Sequence, residues 1–376
     1  MTLGDLLLRA AQRSPDSDAL IFPDSRLTYQ QLADNAFEHA RSLMALGVEP
    51  GEHVGILMPN CPEFIELLFG IVLAGGVAVT VNARYKADEL AYVVENADLK
   101  AVVTSSLASE YVDFARLLQD ALPGLADAPD PRALLLDRAP LLRVVTRIGD
   151  DAPAGFLPYE AFRAAAAQRS RADVDQRAQA VQPIDPGLMM YTSGTTSNPK
   201  GCPLAHGKLV RTGIAMNRER YFLDADDRFW APLPMFHMAS ILPLLGCFDA
   251  GCALLSMNRV DAGVALEMME RERVTVAFPA FPTVTNELIA HPRFAKTDLS
   301  RLRRINNVAP VEMLRNFQQA FPQAVQTGAY GMTELCGVVS YNHPDEDLES
   351  RLYTCGKPFA GLEVRIVDPE TLEELF

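Results

Sequence analysis

Short apolar runs rich in β-branched residues alternate with longer amphipathic stretches many times along this chain, and that alternation limits the fold more than any other feature. The runs His53-Val54-Gly55-Ile56-Leu57-Met58, Val77-Ala78-Val79-Thr80-Val81, Ala101-Val102-Val103-Thr104, Ala253-Leu254-Leu255 and Val274-Thr275-Val276-Ala277-Phe278 read as strands buried on both faces. Between them Glu63 to Leu73, Asp88 to Asn96, His206 to Tyr221, Asp261 to Arg273 and Val311 to Phe321 carry apolar residues at helical spacing. Strands without a polar face, separated by helices, belong to largely parallel sheets covered by those helices. The expectation is an α/β protein of multilayered lobes, and 376 residues at roughly 150 per domain allow two or three domains.

We expect a first α/β region over residues 1–186, whose N-terminal part is free to pack with the second lobe, and a second over 187–345. Residues 346–376 read as the start of a β-barrel subdomain, because Leu362-Glu363-Val364-Arg365-Ile366-Val367-Asp368 alternates apolar and charged side chains like a half-exposed antiparallel strand. Pro123 to Pro140 and Ala164 to Pro186 read as surface excursions. Two uncharged stretches, Leu67 to Ala83 and Phe229 to Phe248, contain Gly75-Gly76 and Pro232, Pro234, Pro243 and His237 respectively. They read as buried strand and turn, not as membrane spans. The N-terminus lacks the apolar segment of a signal peptide, so the expected location is cytoplasmic. With 34 Lys and Arg against 48 Asp and Glu, the net charge of -14 repels nucleic acid and anionic membranes. A polyanionic ligand must therefore be held by local groups. The six cysteines form no C-x-x-C pair, which argues against a structural metal site or a disulfide framework.

The densest chemical signal is Tyr191-Thr192-Ser193-Gly194-Thr195-Thr196-Ser197-Asn198-Pro199-Lys200-Gly201, placed after the apolar run Gly187 to Met190 and before a helical pattern. Hydroxyls, a glycine that lets backbone approach closely and a lysine, all in one turn after a strand, make a cradle for phosphate oxygens. An ordinary polar loop needs neither this order nor the lysine. The P-loop of kinases and ATPases is a different pattern, with Gly-Lys-Ser/Thr after four spacers.

This loop resembles the signature of the adenylate-forming superfamily, which includes the acyl-CoA synthetases, the adenylation domains of peptide synthetases and the luciferases. Asn82-Ala83-Arg84-Tyr85 with Glu89-Leu90 resembles that family's early strand-to-helix junction, and Pro234-Met235-Phe236-His237 its substrate-side motif. Gly328-Ala329-Tyr330-Gly331-Met332-Thr333-Glu334 resembles the nucleotide motif, and Gly356-Lys357-Pro358 with Gly361 to Asp368 the start of the next block. The motifs follow the family order across most of the chain.

The resemblance implies an AMP-forming acid-thiol ligase. A carboxylate attacks the α-phosphate of ATP to give an acyl-adenylate and pyrophosphate, and the thiol of coenzyme A then displaces AMP. Joining two anions requires charge neutralisation and positioning more than a protein nucleophile. By the resemblance, Thr192, Ser193, Gly194, Thr195, Thr196 and Lys200 hold the β- and γ-phosphates. Tyr330 stacks on adenine, with Asn307, Ala309, Pro310, Gly328, Ala329 and Gly331 completing the nucleotide site. Thr333 bonds the α-phosphate, and Glu334 is a hard oxygen ligand for Mg²⁺. Lys200, His237, Thr333 and Glu334 are the expected catalytic set, with His237 positioning or gating the acyl group. Amino-acid-activating domains commonly carry an aspartate after the phenylalanine, whereas this chain has His237 after Phe236. A plain fatty or aryl acid is expected over an α-amino acid.

Two departures bear on these expectations. In Asn306-Asn307-Val308-Ala309-Pro310 a branched residue stands where the family has glycine against the adenine, so either the loop or the acyl pocket is reshaped. The pocket is expected to draw on Met238, Pro279 to Pro282, Val308 and Gly328. The sequence also stops at Phe376, before the family's ribose-gripping aspartate, its hinge and its mobile C-terminal domain. From that we expect the chain as it stands to bind nucleotide but complete the reaction poorly or not at all. An enzyme loading an acyl carrier protein and a non-catalytic nucleotide-binding module remain alternatives, and a homo-oligomer remains open.

Overall fold

A computed structural model describes residues 1–107, 109–192 and 198–375. Two seven-stranded sheets dominate it. The first runs, in spatial order, Leu157–Pro158, Val144–Ile148, Leu99–Ser105, His53–Leu57, Val77–Thr80, Pro186–Thr192 and Lys200–Ala205. The second runs Val325–Thr327, Arg304–Asn307, Val276–Ala280, Arg228–Trp230, Ala253–Leu255, Asp18–Ile21 and Arg26–Thr28. Within each sheet every neighbouring pair is parallel except the edge hairpin, Pro186–Thr192 with Lys200–Ala205 in one and Asp18–Ile21 with Arg26–Thr28 in the other. The strands of the apolar runs are buried almost throughout, as expected of parallel strands covered on both sides.

Helices fill the layers between and outside the sheets, and local chemistry sets their ends. Pro62 opens the helix Pro62–Leu73 at a position where its missing N–H costs nothing, and every residue from Phe64 to Leu73 is buried. It packs along Tyr29–Ala45, a helix closed at its start by a capping box between Thr28 and Gln31. The two helices touch closely at Gly70, where a Cβ would stand 2.7 Å from that of His39.

That contact borders a small cavity of about 230 Å³ lined by Asn35, Glu38, His39, Glu63, Glu66 and Arg163, among others. Burial pushes the Glu66 carboxyl up to about 7, against the opposing hydrogen bond from Asn35 Nδ2 at 2.7 Å. A carboxyl raised in the folded state contributes its stability below its unfolded value and loses it as pH rises through 7. Glu66→Gln mimics the protonated form. It is expected to stabilise the fold by about 2 to 3 kcal/mol near pH 8 and to be close to neutral near pH 4. Denaturant unfolding at the two pH values checks this.

Several elements differ from the sequence expectation. The strand Asp18–Ile21 pairs with Ala253–Leu255, so the N-terminal segment lies in the second sheet, the packing that the expectation allowed for. The hairpin that begins at Pro186, beside the expected division at residue 187, joins the first sheet through Val77–Thr80. Ala164 to Pro186 holds the capped helix Arg171–Ala180. Phe229 to Phe248 is not only strand and turn: Met238–Ala250 is a helix buried nearly all round, with Pro243 inside it. Leu362 to Asp368, expected as an alternating strand, forms a single isolated bridge between Val367 and Glu374. A small antiparallel sheet of Ala329–Met332, Gly337–Tyr341 and Lys357–Pro358 stands beside the two large ones, and among the described residues it does not close into a barrel. No described helix is long and apolar enough to cross a membrane.

Candidate functional site

The parallel strands present their carboxyl ends along one edge of each sheet, the edge at which open α/β sheets bind ligands. Thr192 ends Pro186–Thr192 and sits opposite Lys200, the first residue of the returning strand. Ser193, Gly194, Thr195 and Thr196 follow Thr192 in the sequence and lie outside the described residues. Lys200 is exposed and Thr192 half-buried. Tyr191 does not belong to this face: its ring is buried and its hydroxyl donates to Asn96 Oδ1 at 2.8 Å, anchoring the hairpin to the helix Ala87–Asn96.

The second half of the site arrives from the second lobe. After Val325–Thr327 the chain passes Gly328, runs out as Ala329–Met332, turns through Thr333–Leu335 and returns as Gly337–Tyr341. The two strands come so close at Gly331 that a Cβ there would lie 1.8 Å from the Gly337 carbonyl oxygen. Only glycine fits. The tight turn leaves the Tyr330 ring 55% exposed and Glu334 exposed beside it, with Thr333 half-buried. Thr192 Oγ1 donates to Glu334 Oε1 at 3.3 Å, which brings the end of the hydroxyl-rich hairpin to the acidic turn across the two lobes.

Gly328 is fixed by a buried asparagine absent from the expected set. Its N–H donates to Asn342 Oδ1 at 2.8 Å, and the Asn342 N–H donates back to the Gly328 carbonyl at 3.1 Å. Ala329, which follows, is half-buried. Asn307 is expected as a nucleotide contact, but its side chain is buried and committed to protein: it accepts from Thr285 Oγ1 and donates to Gln326 Oε1 at 2.8 Å. Val308 next to it is 51% exposed, with its N–H given to the Ala280 carbonyl at 2.7 Å. The branched side chain thus points outward and does not crowd the core. Ala309 is half-buried, and Pro310 caps the helix Val311–Ala320.

His237 is exposed and immediately precedes the helix Met238–Ala250. It lines a cleft of about 770 Å³ with Asn60, Arg84, Phe236, Phe281 and Glu287. Desolvation against its neighbours, followed by the Arg84 charge, holds the imidazole below its ordinary value, so the ring is neutral at pH 7. The turn carrying it is fixed by Asn60, which the sequence pattern does not single out: Asn60 Nδ2 donates to the Leu233 carbonyl at 2.8 Å, and Asn60 Oδ1 accepts from the Met235 N–H at 2.8 Å. The nearest hint was its setting in Pro59-Asn60-Cys61-Pro62, which reads simply as a turn.

Comparison with known proteins decides what this arrangement belongs to, since residues 7–375 match the family described as AMP-binding enzyme. The chain belongs to the AMP-binding enzyme family. Within that family it is 33% identical over 373 residues to the 3-[(3aS,4S,7aS)-7a-methyl-1,5-dioxo-octahydro-1H-inden-4-yl]propanoyl:CoA ligase of Mycobacterium tuberculosis, a match spanning 98% of this chain and 69% of that protein. The mitochondrial medium-chain acyl-CoA ligase ACSF2 of Mus musculus is 27% identical over 384 residues, spanning 99% of this chain and 62% of the ligase. The inhibitor-bound N-terminal domain of FACL13 from Mycobacterium tuberculosis superposes with a TM-score of 0.81 at 25% identity, covering 99% of this chain and 86% of that one. Two lobes built on largely parallel sheets are therefore the family's architecture in this AMP-binding enzyme as well.

Proposed function

We propose that this AMP-binding enzyme activates a carboxylic acid with ATP to an acyl-adenylate and passes the acyl group to coenzyme A. What supports the reading most directly is the meeting of Thr192, opposite Lys200, with Glu334 in the turn that follows Tyr330. A cation, a carboxylate, hydroxyls and an exposed aromatic ring stand together at the carboxyl ends of parallel strands, on an otherwise acidic chain. In the first step a carboxylate oxygen bonds to the α-phosphorus and the bond to the β-phosphate oxygen breaks, releasing pyrophosphate. Lys200 offsets the negative charge of the β- and γ-phosphates, with the Ser193 to Thr196 segment contributing hydroxyl and backbone donors. Tyr330 offers its exposed face to adenine and Thr333 a hydroxyl to the α-phosphate.

Glu334 fits a magnesium ion. No cluster of three or more His, Cys, Asp or Glu among the described residues could hold a metal by itself. Magnesium asks for less, since it binds through one or two carboxylates together with substrate phosphates. Glu334 is exposed, and among the described residues its one side-chain hydrogen bond is accepted from Thr192 through one oxygen. When bound, the ion supplies charge neutralisation of the phosphates.

On the acyl side, neutral His237 and cationic Arg84 share one cleft. A positive group there attracts a carboxylate and repels the ammonium of an α-amino acid. A fatty or aryl acid is the substrate class that suits the apolar Phe236 and Phe281 walls.

Lys200→Ala tests the nucleotide half. AMP lacks the β- and γ-phosphates, so calorimetry is expected to show Mg·ATP binding weakened by about 1.5 to 3 kcal/mol with AMP binding little changed. Equal losses for the two nucleotides would remove Lys200 from the phosphate site.

A further inference from the structure

We propose that Asn60, a residue of the first lobe, is the positioning residue for His237: its carboxamide sets the turn from Pro232 to Met235 that delivers the imidazole to the cleft. The inference rests on the reading of that cleft as the carboxylate-activating site. The turn lies beyond the strand Arg228–Trp230, and its two prolines have no N–H, so its backbone groups find no ladder partners. Asn60 provides them. Its Nδ2 donates to the carbonyls of Leu233 at 2.8 Å and Pro232 at 3.3 Å, while Oδ1 accepts from the Met235 N–H at 2.8 Å. Only a carboxamide offers donors and an acceptor on one short side chain. The Met235 N–H requires the oxygen to face it, which fixes the amide's orientation.

The rest of the turn is tied to the same point. Ser240, from the helix that follows His237, donates its hydroxyl to the Leu233 carbonyl. Ser256 donates to the Ala231 carbonyl at 3.0 Å and lies 3.4 Å from Asn60 Nδ2. The His237 N–H donates to the Pro234 carbonyl at 3.0 Å, so the imidazole's place follows from the Pro234 carbonyl, and that from Asn60. Asn60 itself is buried in the connection between the first lobe's strand His53–Leu57 and the helix Pro62–Leu73, so a first-lobe residue sets a second-lobe turn. The charged groups lining the cleft with His237 are Arg84, Arg259 and Glu287, and none of them contacts Asn60 by a hydrogen bond.

A buried asparagine with four polar partners also stabilises, so the test must read more than stability. Asn60→Ser removes the carboxamide that reaches them. Asn60→Asp keeps the volume and the Met235 contact but sets a carboxylate oxygen against the Leu233 carbonyl. On the whole chain, without ligand, histidine-labelled NMR follows the His237 titration, assigned with His237→Gln. In both variants the midpoint is expected to rise toward the ordinary value as the ring moves away from the cleft wall and from Arg84. With a panel of straight-chain and aryl carboxylates, the maximal rate of acid-dependent ATP–pyrophosphate exchange is expected to fall about tenfold to a hundredfold, with the KM for ATP unchanged. Variants that melt earlier but leave the His237 titration in place would overturn the proposal and make Asn60 purely structural. If the unmodified chain exchanges pyrophosphate with no acid, the carboxylate reading fails, and the titration alone then decides whether Asn60 positions His237.

Discussion

Glu334→Gln is expected to lower carboxylate-dependent ATP–pyrophosphate exchange by about a hundredfold to a thousandfold, the usual loss when one charge-stabilising group is taken from a transition state. The substitution keeps the shape of the side chain and can still accept the hydrogen bond from Thr192, so the turn from Thr333 to Leu335 has no reason to move. What disappears is the negative charge. Glu334 is exposed and its one side-chain hydrogen bond among the described residues is 3.3 Å long, so the cost to folding should stay within about 0.5 kcal/mol. A large kinetic loss without a stability loss separates an ion-binding carboxylate from a structural one. Magnesium titration of nucleotide binding supplies the second reading, because the variant should show a weakened dependence on the ion. Unchanged magnesium dependence would leave Glu334 as the partner of Thr192 and nothing more.

Where the sequence was readable, a local signal had a single physical cause. The strands His53–Leu57 and Ala253–Leu255 follow from apolar runs that only a covered parallel sheet accommodates, and the helix Ala87–Asn96 from its apolar spacing. The helix Met238–Ala250 was not readable, because a helix buried on all sides carries no amphipathic period and Pro243 argues against it. The segment Leu362 to Asp368 failed in the opposite way: its alternation fits a strand, but strands are made by partners, and among the described residues its pairing stops at the isolated bridge of Val367 with Glu374. The site divides along the same line. Thr192, Lys200, Tyr330 and Glu334 announce themselves by contiguous motifs. Asn60 and Asn342 act over long or buried contacts with backbone groups, and nothing in a neighbouring sequence pattern marks an asparagine whose partners are carbonyls elsewhere in the chain. Asn307 shows that a motif position does not say where its side chain goes, since here it is spent on Thr285 and Gln326.

Gly331→Ala is expected to be as damaging as the loss of Glu334, by a different route. The added Cβ would stand 1.8 Å from the Gly337 carbonyl oxygen and 2.7 Å from the Val338 Cα. Those are backbone atoms of the paired strand, so no side-chain rotation relieves the clash and the two strands must separate. Gly337 cannot yield readily, because it holds φ +100° and its own α-hydrogen face is closed by Leu242, 2.4 Å from where a Cβ would be. Overpacking against fixed backbone typically costs about 1 to 3 kcal/mol and sometimes more. Here the strain falls within the hairpin that carries Tyr330 at one end and Glu334 at its turn. Separation of the strands would displace the exposed Tyr330 ring and the Glu334 carboxylate together, and a misplacement of about 1 Å is enough to cost about a hundredfold in rate. Gly246→Ala is the control: it adds the same methyl group, at a glycine that is itself buried, but its Cβ would meet nothing closer than 3.6 Å. It lies in the helix Met238–Ala250, where alanine is favoured over glycine by about 0.5 to 1 kcal/mol. Thermal melting and AMP calorimetry on the two variants should therefore diverge, with Gly331→Ala losing stability and nucleotide affinity and Gly246→Ala keeping both. Wild-type AMP binding in Gly331→Ala would mean that the hairpin tolerates separation and that Tyr330 does not depend on its register.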